Sequence, residues 1–256
     1  MTPVLQLHSI DIHIGDKLIC RDLDLTVGRG ECWAILGMNG AGKTTLLHSL
    51  AGLYPTAKGQ ITLNGVALGT MERKLIARSM GLLLQDYEDH FPGTVMDLVL
   101  TGRHPWLSAW QWESPLDKQL ALTALEKVGL VAFADRQITT LSGGERRRAA
   151  LATLLTQSPD ILLMDEPTNH LDIHQQHRIL TLVRDLVHEQ NKTAVLVLHD
   201  INLAMRYCDH ALLLYEDAKP LQGEINDVMT EKNLTELFKH PLTAMDGPNS
   251  RVFLPG

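Results

Sequence analysis

Apolar residues in this chain fall into short runs separated by Gly, Asn and Asp. Positions 4–14 are rich in Ile and Val with partial alternation, and Leu23-Asp24-Leu25-Thr26-Val27 alternates with a period of two. Both stretches predict strands, with a turn at Gly15-Asp16-Lys17 and an end at Gly28-Arg29-Gly30. Cys32-Trp33-Ala34-Ile35-Leu36 is continuously apolar and predicts a buried strand. Thr45-Leu46-Leu47-His48-Ser49-Leu50 predicts a helix closing near Gly52. Gln60-Ile61-Thr62-Leu63 predicts a short strand running into a tight Asn64-Gly65 turn. Positions 71–79 look helical, and Met80-Gly81-Leu82-Leu83-Leu84 predicts a strand that ends at Gln85.

The pattern changes at Asp86. The polar stretch Asp86-Tyr87-Glu88-Asp89-His90 predicts a loop, and Thr94 caps a helix over 95–101. A second loop carries His104-Pro105-Trp106 and Trp110-Gln111-Trp112. The next helix has Ser114 as cap, Pro115 in its first turn and Gly129 past its end. Leu116, Leu120, Ala124 and Val128 are expected to share its apolar face. Helix and loop dominate as far as Pro159. Strand signals return at 161–164, 193–198 and 211–215, with helices over 173–190 and 201–207 between them. Short elements follow at 227–229, 231–238 and 252–254, and no internal repeat or low-complexity tract interrupts the chain. The sum is an α/β core with a β-rich N-terminal part and a helical insertion.

Composition narrows this picture. The chain has 256 residues, enough for one or two domains and a large core. The net charge of −7 argues against nucleic acid as a partner. Cys20, Cys32 and Cys208 lack metal-like spacing, and their odd number favours free thiols in a reducing compartment. Met1-Thr2-Pro3-Val4 carries no signal pattern, and no apolar run is long enough to span a bilayer. If a membrane is involved, a partner crosses it.

The chemistry starts at Gly37-Met38-Asn39-Gly40-Ala41-Gly42-Lys43-Thr44, which fits the phosphate-binding P-loop G-x-x-x-x-G-K-[ST]. An apolar strand precedes it and a helix follows, the context such a loop needs. Glycines allow close backbone approach to a phosphate, and the amides with the helix N-terminus make an anion cradle. Lys43 can reach the outer phosphates and the Thr44 hydroxyl can ligate Mg²⁺. Ile161 to Met164 delivers Asp165 and Glu166 at a strand's carboxyl end, where ligands of open α/β sheets bind. One carboxylate suits a Mg²⁺ shell and the next can orient or deprotonate water. In Leu141-Ser142-Gly143-Gly144-Glu145 the Ser-x-x-Glu spacing is a capping box. Capping does not need two glycines, each costing about 1 kcal/mol in a helix. The Ser142, Gly143 and Gly144 segment therefore also suits a terminal phosphate.

These segments occur in the order seen in ABC-type ATPases: the P-loop, Gln85 after its strand, the Ser142 segment, Leu163-Met164-Asp165-Glu166-Pro167-Thr168, Asn169-His170-Leu171-Asp172 and His199. The resemblance covers the chain to about Tyr215. It implies a P-loop NTPase core over 1–85 and 159–220, a helical signature subdomain over 86–158 and an extension over 221–256. Gly102-Arg103-His104-Pro105 and Leu198-His199-Asp200-Ile201-Asn202-Leu203-Ala204 look most like ATPase subunits of iron–siderophore, haem and cobalamin importers.

The resemblance assigns roles. ATP would be held by Gly37, Lys43 and the Asn39, Gly40, Ala41, Gly42, Thr44 and Thr45 backbone, with Thr44, Gln85 and Asp165 arranging Mg²⁺. Glu166 would act as general base or polarise water, His199 would contact the γ-phosphate, and Asp172 would communicate across a dimer interface. Ser142, Gly143 and Gly144 would meet the nucleotide of a second copy in a head-to-tail homodimer. Membrane-spanning permease subunits would dock near Gln85 and the insertion at the cytoplasmic face of the inner membrane, with a separate substrate-binding protein. An ATPase of a soluble iron–sulfur assembly machine and an exporter's ATPase are the alternatives.

Four features lie outside this scheme. The family's aromatic position against adenine falls here at Ile14, beside His13, which implies modest base selectivity. His170, His174 and His177 have the spacing of one helical face and read as solvated rather than metal-binding. Arg146-Arg147-Arg148 reads as a solvated start to the signature helix. Trp106, Trp110 and Trp112 either pack the insertion internally or form an aromatic dock for a membrane partner.

Overall fold

A computed structural model of the chain describes residues 2–85, 92–247 and 250–256. The loop expected from Asp86 to His90 lies outside the described residues. The strands are β1 (Pro3–Ile14), β2 (Lys17–Gly28), β3 (Cys32–Gly37), β4 (Lys58–Leu63), β5 (Val66–Ala67), β6 (Met80–Leu83), β7 (Ile161–Asp165), β8 (Thr193–Val197), β9 (His210–Leu214), β10 (Leu221–Glu224), β11 (Leu242–Asp246) and β12 (Arg251–Pro255). The α-helices are α1 (Lys43–Leu50), α2 (Arg73–Ser79), α3 (Val95–Leu100), α4 (Pro115–Lys127), α5 (Gly143–Gln157), α6 (Ile173–His188), α7 (Ile201–Tyr207), α8 (Ile225–Val228) and α9 (Glu231–Phe238). Two compact units form, one from Met1–Met71 with Val183–Gly256 and the other from Glu72–Leu182.

In the first unit, β2, β1, β4 and β5 form an antiparallel sheet in that order. Leu5, Leu7, Ile10 and Ile12 of β1 are buried, as are Leu23, Leu25 and Val27 of β2. The second strand begins at Lys17, well before the alternating stretch. The register shifts between Leu7 and Ile10 and again beyond it, and Ser9 and Asp22 take positive φ (47° and 49°). Those kinks break the period of two. Side-chain carboxylates serve the displaced amides: Ser9 N–H donates to Asp24 Oδ1 at 2.9 Å and Asp22 N–H to Asp11 Oδ1 at 2.7 Å. Asn64 and Gly65 both have positive φ (50° and 79°), the geometry of a two-residue hairpin turn between β4 and β5.

A second sheet of this unit runs β10, β9, β3, β8, with β3 parallel to both β8 and β9. Every residue of β3 is buried, as its continuous apolar run requires. The edge strand β10 and the hairpin strand β11 escape a pattern reading because they are short and mostly exposed. The β11–β12 hairpin is held to α7 by Asn202, whose amide donates to Phe253 O at 3.2 Å and accepts from Phe253 N–H at 2.8 Å. All three cysteines are free and buried. Burial pushes the Cys20 thiol up to about 12.

In the second unit, β6 and β7 pair in parallel. Three helices start with complete capping boxes: Thr94 with Asp97, Ser114 with Asp117 and Ser142 with Glu145. Each cap is worth about 1 kcal/mol. The expected face of α4 is rotated. Leu116 is 68 % exposed, while Asp117, Ala121, Ala124, Leu125 and Val128 are buried. The rotation follows from Asp117, which takes Arg103 Nε at 2.7 Å as well as the Ser114 hydroxyl at 2.6 Å. Residues Thr101–Trp106 form a 3₁₀ turn rather than a loop.

Candidate functional site

In the first unit the phosphate loop leaves the carboxyl end of β3. Gly40 and Gly42 take positive φ (75° and 93°), and a Cβ on Gly42 would lie 2.1 Å from Ile19 Cγ2. Gly42 is the N-cap of α1 and supplies no side-chain acceptor, and a helix N-terminus favours an anion. Lys43 is buried, and its Nζ donates to Gly37 O at 2.9 Å and Met38 O at 3.1 Å, which folds the ammonium into the loop. Thr44 and Thr45 follow in the helix, and Asn39 is exposed before it. Ala41 is buried, its amide bonded to Met38 O.

His199 leaves the same sheet end. β3 and β8 run parallel with Ile35 opposite Val197, so the loop at Gly37 and His199 each start two residues beyond that pair. Leu198 N–H continues the pairing to Ile35 O at 3.2 Å. His199 is exposed, and Asp200 after it caps α7. The β1–β2 turn also reaches this loop: Lys17 Nζ donates to Gly40 O at 2.9 Å. Ile14, at the end of β1, is 43 % exposed.

The second unit carries the carboxylates. Leu83 of β6 lies opposite Met164 of β7, so Gln85 and Glu166 emerge side by side from parallel strands. Asp165 is fully buried and Glu166 nearly so. Glu166 has φ +49°, a left-handed conformation that costs a non-glycine residue about 1–3 kcal/mol and gathers at functional sites. Asn169 fixes its side chain, donating from Nδ2 to Oε2 at 2.9 Å, and Asn169 N–H returns to Glu166 O at 3.1 Å.

The Ser142 segment lies in this unit too. Ser142 N–H donates to Glu145 Oε2 at 2.7 Å, and the Glu145 carboxyl is held below its ordinary range by that bond. A Cβ at Gly144 would come within 3.3 Å of Leu171 Cδ2, which would have to shift by a few tenths of an ångström. At Gly143 a Cβ would meet nothing within 4 Å, and its φ is not left-handed. The chain's own packing gives no reason for that glycine. Asp172 Oδ1 accepts from Gln175 N–H at 2.8 Å at the start of α6.

Two sequence readings are corrected here. The arginine run is woven into the fold rather than solvated: Arg146 donates to Leu141 O, Arg148 to Val128 O, and Arg147 is only 6 % exposed. A run of like charges cannot reveal that one member points inward along the Ala150–Leu151–Leu154 side of α5. His170 precedes α6 and has φ +60°, so the three histidines do not share a helical face. Among the described residues no group of three His, Cys, Asp or Glu side chains is placed to hold a metal ion. Asn169 is the site residue that motif spacing alone did not single out.

The family model described as ABC transporter matches residues 20–169. The chain belongs to the ABC transporter family. It is an ABC-type ATPase with the P-loop fold, and it binds ATP. It is 38 % identical over 242 residues to the petrobactin import ATP-binding protein FpuD of Bacillus anthracis, covering 93 % of this chain and 88 % of that one. It is 34 % identical to the hemin import ATP-binding protein HmuV of Shewanella denitrificans, covering 93 % and 94 %. A solved structure described as an inward-facing conformation of a metal-chelate type ABC transporter matches with a TM-score of 0.86 and 29 % identity, over 99 % of this chain and 98 % of that one. A dimeric ATP-binding cassette, MJ0796, shares the fold at 24 % identity, with a TM-score of 0.76 over 86 % of this ABC chain and 98 % of that one. Among the described residues of this family member, no helix is long and apolar enough to cross a membrane.

Proposed function

We propose that this ABC ATPase drives a membrane importer that takes up a metal chelate of the iron–siderophore, haem or cobalamin type. What carries the reading is the likeness to importer ATP-binding subunits over about nine-tenths of both chains. The core over 1–85 and 159–220 binds nucleotide, the part over 86–158 carries the signature, and 221–256 is an extension. The chain sits at the cytoplasmic face of the membrane against permease subunits, and a separate binding protein selects the chelate.

Gly37 to Thr45 hold the triphosphate. Glu166, oriented by Asn169, takes the proton of the attacking water, and His199 contacts the γ-phosphate. Thr44, Gln85 and Asp165 would hold Mg²⁺, which would supply positive charge to offset that of the phosphates. The donor set suits that ion: a hydroxyl, an amide oxygen and a buried carboxylate are few ligands, and Mg²⁺ keeps its waters and uses substrate phosphates for the rest. Ser142, Gly143 and Gly144 serve the nucleotide of a second copy in a head-to-tail homodimer, and Asp172 faces that interface. The open space at Gly143 is compatible with this arrangement, since it leaves room for a group from outside the chain. Ile14 offers adenine an aliphatic contact rather than a ring, which makes base selectivity modest.

The test is a pull-down of the tagged chain from detergent-solubilised membranes, with ATPase assayed on the eluate. Recovery of a polytopic membrane protein with coupled turnover is expected. Recovery of soluble partners alone would move the reading to an assembly machine. In parallel, Glu166→Gln should keep ATP binding and abolish hydrolysis; full turnover would remove Glu166 as the base.

A further inference from the structure

We propose that Arg147 is a positioning residue for hydrolysis: its guanidinium ties the signature helix to the two strand ends that carry Gln85 and Glu166. The proposal rests on the roles given above to Gln85 and Glu166, and deepens them.

The observation is a set of four hydrogen bonds within the second unit. Arg147 Nη1 donates to Leu84 O and, at 3.1 Å, to Gln85 O. Arg147 Nη2 donates to Asp165 O and, at 2.8 Å, to Glu166 O. Each nitrogen thus takes two consecutive carbonyls just past a strand, one pair after β6 and the other at the end of β7. These carbonyls lie where the β6–β7 ladder stops, and Arg147 supplies a donor to each of the four. A planar fork with fixed N–H directions can serve both ends at once, whereas a lysine ammonium is a point donor.

The tie has a direction. Arg147 stands on α5 five residues after Ser142 and four after Gly143, about 6 Å along the helix axis. A helix over that length moves as one body. A displacement of the Ser142–Gly144 end, when it meets a phosphate, is carried by the guanidinium to the backbone of Gln85 and Glu166. The Glu166 backbone is the sensitive element, because its left-handed φ of +49° persists only while its surroundings fix it. Its carbonyl is held from two sides, by Arg147 Nη2 and by Asn169 N–H. Loss of Arg147 frees one of these and lets the carboxylate leave the position needed to take a proton from water. Binding of ATP to the phosphate loop involves none of these four bonds.

The experiment uses the full chain and measures kcat, KM for MgATP, ATP affinity by direct titration and thermal stability for Arg147→Ala, Arg147→Lys and Arg147→Gln. Arg147→Ala should lose about tenfold or more in kcat with KM and ATP affinity within about threefold of wild type. Added guanidinium ion, at concentrations that leave wild type unaffected, should restore part of the lost kcat. Arg147→Lys should stay slow despite its charge. Arg147→Ala at wild-type kcat would overturn the proposal, as would Arg147→Lys at wild-type kcat or a loss in Arg147→Ala that guanidinium does not restore. If Arg147→Ala does not fold, the lysine and glutamine variants decide by the same split between kcat and KM. Glu166→Gln run alongside separates the two readings. Turnover in Glu166→Gln removes the base assignment, whereas an inactive Glu166→Gln beside an unaffected Arg147→Ala removes the positioning role alone.

Discussion

Two glycines show how the same residue type answers to different demands. Gly42 is required by the chain itself, with a φ of +93° and Ile19 where a side chain would sit. Gly143 has open space and an ordinary backbone, so its packing among the described residues does not ask for a glycine. This gives a clean test. Gly143→Ala should leave the melting temperature unchanged or slightly higher, since alanine favours a helix by up to about 1 kcal/mol. On the homodimer reading proposed above, ATP hydrolysis should fall by about tenfold or more, because the methyl group would enter the space of the second copy's phosphate. Unchanged turnover in a folded Gly143→Ala would mean that no ligand approaches there.

At the scale of elements, the placement of α4 depends on one buried carboxylate. The Ser114 hydroxyl and the Arg103 guanidinium hold Asp117 down at about 2, against an ordinary value of about 4. A depressed carboxyl contributes stability that is complete above the ordinary value and lost as pH falls toward the folded one. The contribution should therefore be intact at pH 5 and above and disappear from about pH 4 down to about pH 2. Thermal melts of wild type and Asp117→Asn check this: the gap between them should be widest near neutral pH and close across that window. A constant gap would show that the Asp117 charge plays no part. The same carboxylate accounts for Leu116 turning outward while Ala124 and Val128, also chosen from periodicity, lie on the buried face of α4. Spacing identifies a helix, but a cap and an ion pair can turn it.

At the scale of the whole molecule, three tryptophans separate into two tasks. Trp106 is 40 % exposed but tied to its own unit, its indole N–H donating to Gln157 O at 2.9 Å with the Arg78 and Arg103 guanidinium groups over its ring. Trp110 and Trp112 are 99 % and 85 % exposed. They line an open pocket of about 560 Å³ with His104, Leu107, Ala109 and Glu113. On the importer reading proposed above, two bare indoles in this loop suit a surface that a membrane partner covers. The double variant Trp110→Ala/Trp112→Ala should keep the wild-type melting temperature and basal ATPase rate. Its stimulation by the membrane partner should fall, as read in detergent or nanodiscs with the copurified complex. Lost stability with normal stimulation would instead assign the pair to packing.

The sequence by itself determined the elements that depend on neighbours along the chain. The phosphate loop, the two carboxylates after Met164, the capping boxes and the order of strands and helices were legible because each is written within a few residues. The β1–β2 bulges, β10 and β11 were not, since side-chain acceptors and partner strands decide them. Tertiary structure alone decided that Gln85 and Glu166 emerge from adjacent parallel strands and that His199 leaves the same sheet end as the phosphate loop. It alone turned the middle of three arginines inward onto four carbonyls. The physical reason is common to these cases: hydrogen bonds between residues tens of positions apart leave no periodic trace in the chain.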